Sequence, residues 1–225
     1  MSLPVKVGIA TLTAGSIAGA GYAGIAYFGK NKQQGTTISD IVQTKYEYIL
    51  LNTKDNTDNT HWSINWSNYK KDNAKKEANK NTFKLKGWVK DSTQDLDLTN
   101  ELKKKCEELS KTTVYDKGVA LYADVTKYCG RGVTVEDAAK KAGAEILDTV
   151  TRDNNKDSKI WTSRHTNKTT LQDSLTKLGI PDAGDADKIK KGCEDIKTKN
   201  KQADDYQAVY NAYIAICTKQ EGDIR

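Results

Sequence analysis

Leu102–Leu109 reads LKKKCEEL, and Ile189–Ile196 reads IKKGCEDI. In each octamer the cysteine follows an aliphatic side chain by four residues and precedes another by three. That spacing puts all three on one face of a helix and leaves lysines and acids on the wet side. The first stripe also extends back to Leu98. The chain therefore writes the same cysteine helix twice, and its fold is read outward from that fact.

The flanks match as well. GTTISDIV (Gly35–Val42) aligns with GVTVEDAA (Gly132–Ala139), and each holds Thr-x-x-Asp, at Thr37/Asp40 and Thr134/Asp137. This is a variant capping box: the Thr oxygen accepts an early helix amide and the Asp reaches back. EYILLNTKDNTDNTHW (Glu47–Trp62) resembles EILDTVTRDNNKDSKIW (Glu145–Trp161), each running from apolar residues through an Asn/Asp-rich loop to a Trp. YADVTKYC (Tyr122–Cys129) matches YNAYIAIC (Tyr210–Cys217). Tandem duplication accounts for this order, with residues 35–131 as one helical half and 132–219 as the other, followed by a tail, 220–225. The first copy carries extra sequence around FKLKGW (Phe83–Trp88). Two copies are too few for a solenoid, so the halves are expected to pack on each other around a common interior. The stripe Tyr115, Val119, Tyr122, Val125, Cys129 predicts a core face, as do Tyr206, Val209, Tyr213, Ile216 and Trp62, Trp66, Tyr69.

Cys106 and Cys129 lie 23 residues apart, and Cys193 and Cys217 lie 24 apart. One pair per half suggests two equivalent disulfides, each stabilising by about 3 kcal/mol in the chain-entropy model. Thr113-x-x-Asp116 reads as a further helix start, and a turn there would leave Cys106 and Cys129 about 10 Å apart along the helix axes. A tilted hairpin or a later turn near Gly118 closes that gap. Bridged cysteines and buried free thiols both fit. A zinc site fits poorly, because CxxC pairs are missing and His61 and His165 do not sit at ligand spacing.

The 225 residues carry a net charge of +6, with lysines and acids interleaved and only Pro4 and Pro181 to break helices. Eleven Tyr and four Trp mark a folded, lean-cored protein, and the scarcity of Pro and Phe with only short β-branched runs makes it mostly α. The richest lysine stretch, KKDNAKKEANKN (Lys70–Asn81), reads as a solvated helix face, and no nucleic-acid partner is expected. Val7–Gly29 contains no charge and is long enough to cross a bilayer as a helix. Gly15 and Gly19 form a small-xxx-small pair suited to close helix packing. Residues 1–29 are thus read as a membrane anchor, with lipid contact through 7–29, and 30–34 as a linker. Ala18-Gly19-Ala20 resembles a signal cleavage site, which would make the protein secreted. Gly19, Gly21 and Gly24 fit GxGxxG, but no strand leads into them and no parallel sheet follows.

Other chemistry is sparse. Asp204/Asp205 and Glu107/Glu108 are helix neighbours pointing to different faces. DAGDAD (Asp182–Asp187) lacks the EF-hand ligand pattern and reads as a turn and helix cap. Walker, HExxH and GxSxG motifs are missing. Asn65-Trp66-Ser67 and Asn167-Lys168-Thr169 fit the glycosylation sequon. No catalytic residue, metal, cofactor or small-molecule ligand is assigned.

The apolar small-residue start, the Thr-x-x-Asp helix openings, the Trp after an Asn/Asp loop and the Tyr-to-Cys helix closing each half resemble the paralogous families of uncharacterised proteins from haemotropic mycoplasmas. Those families often carry Trp-Cys in the first half, whereas here Val89 follows Trp88. The resemblance implies a surface-exposed protein with a part in host interaction or antigenic variety. The expectation is a non-enzymatic protein of the cell membrane with an extracellular helical domain, which meets a host or surface protein through the loops Asn52–Thr60 and Arg152–Lys159. The alternatives are an intracellular membrane-tethered scaffold and a membrane-tethered hydrolase.

Overall fold

A computed structural model describes residues 35–91, 96–115 and 118–224. The expected anchor, with Gly15 and Gly19, lies outside them. Among the described residues no helix is long and apolar enough to cross a membrane.

The chain is mostly α, as its periodicity predicts. β1 (Thr36–Thr37) leads into α1 (Ile38–Lys45), then β2 (Tyr48–Leu50), α2 (Asn59–Asn73), α3 (Thr99–Ser110), β3 (Thr113–Val114), α4 (Val119–Cys129) and β4 (Gly130–Gly132). α5 (Val135–Lys141), α6 (Ser158–Thr166), α7 (Gln172–Lys177), α8 (Ala186–Ile196) and α9 (Tyr206–Cys217) follow. Both Thr caps form. Thr37 accepts the Asp40 amide of α1. Thr134 and Asp137 make the full reciprocal box at α5, and Asp185 caps α8 by accepting the Lys188 amide.

Short extended pieces, which the sequence does not announce, tie the helices together. β1 pairs antiparallel with β3, and β2 with β4. Single bridges stand at the matching places later in the chain, Thr134↔Asn200 and Ile146↔Thr218. The same backbone bonds recur: Leu51 N–H donates to the Cys129 carbonyl and Leu147 N–H to that of Cys217, Ile38 N–H to Thr112 and Val135 N–H to Lys199.

β3 corrects the expected helix start at Thr113. The chain leaves α3 at Ser110, runs extended beside β1, and begins α4 at Val119. This connection starts the second helix well beyond the end of the first, so Cys129 in its last turn comes back level with Cys106. Their Cα atoms are 5.5 Å apart and the pair is disulfide-bonded. The nine residues between α8 and α9 do the same for Cys193 and Cys217, also bonded, at 5.7 Å.

The common interior expected from the duplication is replaced by two cores. Ile38, Trp62, Trp66, Tyr69, Leu102, Cys106, Val125 and Cys129 belong to one. Val135, Ile160, Trp161, Leu175, Ile189, Cys193, Tyr213 and Cys217 belong to the other. Each disulfide is buried in its own core. The Tyr115/Val119 end of the predicted stripe is exposed: Tyr115 precedes the helix, which begins only at Val119. The sequence around Phe83–Trp88, which has no counterpart in the second half, is structural: Phe83, Leu85 and Trp88 fill the first core. Tyr69 meets the rings of Phe83, Trp88 and Tyr128 at centroid distances of 5.0–5.7 Å.

The seam between the cores is polar. Val133 N–H donates to the Glu47 carbonyl at 3.0 Å. Tyr46 donates its hydroxyl to the Asp137 carbonyl, and its own carbonyl accepts from Lys201. The Lys141 ammonium lies 3.4 Å from the centre of the Tyr46 ring. Tyr46 ends α1 in the left-handed region at φ 48°, where Gly143 ends α5 at φ 81°. Glycine takes that conformation at lower cost. At Tyr46 the seam uses the ring, hydroxyl and carbonyl together.

Candidate interaction surface

The two Asn/Asp loops are built alike from their bases. In the first, the Asn52 amide donates to the Asp58 carboxylate, and the Trp62 indole N–H donates to the Asn52 carbonyl at 2.7 Å. In the second, the Asp148 amide donates to Asp157, and the Trp161 indole N–H to the Asp148 carbonyl at 3.0 Å. Each Trp thus fills a core with its ring and pins a loop with its one polar atom. The carboxylate closes the other side of the loop base.

Lysines of the opening octamers reach the same loops. Lys103, next to Leu102 on the cysteine helix, donates to the Asn59 side chain. Its counterpart Lys190, next to Ile189, donates to the Thr151 carbonyl. Short side-chain turns shape the tips. Asp55 accepts from Asn52 and Thr57, and these bonds, the Thr57 hydroxyl first, hold its carboxyl below the usual range. Asp148 accepts from the Thr151 and Val150 amides. Bonds from Thr151, side chain before backbone, pull its pKa down to about 2. Lys54, Asp55, Asn56, Thr57 and, in the other loop, Arg152, Asp153, Asn154, Lys156 face solvent, while Asn155 and Asp157 are buried as internal braces. The geometry is an ordered base with a polar, solvent-facing tip.

Beneath these loops lie two residues that sequence reading passes over. Asn65 donates to the carbonyls of Tyr128 and Gly130. Arg164, at the corresponding place on α6, donates to those of Ile216 and Thr218. Each side chain thereby supplies donors to the last carbonyls of a Tyr-to-Cys helix, which lack helical partners. The available signal was position, three residues after each Trp. Asn65 is 7% exposed, and this burial removes the first glycosylation sequon as an acceptor; Asn167, in the second, is exposed.

Arg164 makes a further bidentate pair with Asp223, at 2.6 and 2.9 Å. A surface hollow of about 330 Å³ lies beside it, lined by Lys159, Ile160, Ser163, Gly222, Asp223 and Ile224. Its acid is therefore already engaged by a guanidinium. His165 touches the Gly184 carbonyl at 3.0 Å. Among the described residues no group of three His, Cys, Asp or Glu could hold a metal ion. No family model matches the chain, and no curated protein and no solved structure matches it.

Proposed function

We propose that the protein is a membrane-anchored, non-enzymatic surface protein whose helical domain, made of two duplicated halves, displays the Asn52–Thr60 and Arg152–Lys159 loops to a host or surface protein. This layout is the one implied by its resemblance to the paralogous mycoplasma families. The observation that carries the reading is the pair of matched disulfides, one buried in each core. Such bonds persist in oxidising surroundings and are rare where thiols are kept reduced. The loops support it in turn: their bases are pinned by Trp, Asp and Lys, so tip residues can change without loss of core.

Protease treatment of intact cells, with mass spectrometry of the released peptides under non-reducing conditions, tests this. The expected result is release of loop peptides, together with linked fragments holding Cys106 to Cys129 and Cys193 to Cys217. Peptides released only after lysis, with all four cysteines alkylated as thiols, would instead fit a scaffold on the inner side of the membrane.

A further inference from the structure

Positive charge is not spread evenly over this molecule. Residues 70–91 hold eight lysines against Asp72, Glu77 and Asp91, which is five of the six net positive charges of the whole chain. Most of this stretch is a closed loop: the Asp91 amide donates to the Ala74 carbonyl at 2.7 Å. Its interior is fastened by Asn73, which accepts from Thr82, by Asn81, which accepts from the Leu85 amide, and by the Trp88 indole on the Lys76 carbonyl. Phe83, Leu85 and Trp88 point into the core, while Lys84 and Lys86 between them and Val89 and Lys90 after them point out. The lysines are therefore presented on a rigid knob rather than a loose tail.

Several of these charges are uncompensated. Lys75 pairs with Asp91 and Lys90 with Glu77. Among the described residues, Lys71, Lys80, Lys84 and Lys86 carry no ion pair and are exposed. The corresponding connection of the second half, residues 167–185, holds two lysines against three aspartates. The basic knob is thus peculiar to one half and is not a demand of the fold.

We propose that the 74–91 loop, with Lys71 beside it, is a docking surface for an anionic lipid bilayer. The chemistry selects this polyanion over others. All the cations are lysines, compact point charges suited to a diffuse field of phosphates rather than bidentate recognition. The aromatic rings of the region are buried, so no platform for stacking bases is offered. Val89 is 57% exposed between Lys86 and Lys90, an apolar contact that a lipid interface accommodates. Each lysine brought to an anionic membrane surface strengthens binding by about fivefold.

The test uses the full chain carrying an environment-sensitive dye on Val89→Cys, with both native disulfides verified by mass. Phosphatidylglycerol-containing vesicles are expected to shift the dye emission to the blue, phosphatidylcholine vesicles are not, and salt of about 0.5 M is expected to reverse the shift. The triple change Lys80→Gln/Lys84→Gln/Lys86→Gln should raise the anionic lipid needed by about a hundredfold, at about fivefold per lysine, with unchanged far-ultraviolet circular dichroism. An equal shift on neutral vesicles would overturn the proposal, as would a tighter response to duplex DNA or to a sulfated polysaccharide. So would a shift that grows with protein concentration in the absence of lipid, which would mark contact between copies.

Discussion

Arg164 shows how much one side chain can hold. It is 7% exposed, supplies donors to two helix-end carbonyls and pairs with Asp223 through two hydrogen bonds. Removing one partner of such a buried pair leaves a charge without solvent or counterion. Arg164→Ala should lower unfolding stability by about 3–5 kcal/mol in urea titrations, whereas Lys54→Ala on an exposed loop tip should change it by less than about 0.5 kcal/mol. Acid gives a second test. Burial pushes Asp223 and Asp137 up, but bonds from Arg164 and Gln220 on the one, and from Arg131 and Thr134 on the other, hold both below the ordinary carboxylate range. Asp148 lies at about 2. Carboxylates depressed in the native state contribute stability above their unfolded pKa and lose it as pH falls through the native one. The urea midpoint should therefore be flat from pH 7 to about 5 and fall between about 4 and 2. Asp223→Asn should flatten part of that fall. At this scale the sequence was legible where a residue's role is local, as in the Thr134/Asp137 cap. It was opaque for Asn65 and Arg164, whose partners lie more than fifty residues away and could be named only once the helices were placed.

Among the elements, the two cysteine helices differ at one instructive position. Lys105 of the first is replaced by Gly192 in the second, just before the cysteine. A Cβ on Gly192 would stand 2.2 Å from the Ile180 side chain, which is itself buried. Gly192→Ala should therefore destabilise by about 1–3 kcal/mol through overpacking, despite the better helix propensity of alanine. Paired with Ile180→Ala, it should recover much of that loss; additive losses in the double variant would refute the close approach. Helix positions were readable because apolar spacing reports them directly. The extended links were not. β1, β3 and the bridges at Asn200 and Thr218 span one or two residues each, too short to leave an alternating pattern. Those links nonetheless decide the cysteine pairing, because they set the stagger of the helices.

For the molecule as a whole, two cores joined by a polar seam imply that the halves can loosen separately. Leu175 is fully buried in the second core. Leu175→Ala should cost about 2–5 kcal/mol. It should also speed amide exchange in α6, α8 and α9 well before α2, α3 and α4. Uniform acceleration across all six helices would show the two cores to be one cooperative unit. Sequence similarity revealed the repeated order but not this division, since a stripe says that a face is covered without saying by which partner. The Tyr122–Cys129 and Tyr210–Cys217 segments match in sequence and lie in different interiors.

The join at Tyr46 has a consequence for how this architecture can change. In the matching alignment Tyr46 corresponds to Gly143, and Lys141, whose ammonium sits over the Tyr46 ring, corresponds to Thr44. Neither outer face repeats the ring-and-ammonium contact that fastens the middle. A further half added at either end would meet neither this ring nor this ammonium, so the joint at Tyr46 cannot be extended by repeating the same residues.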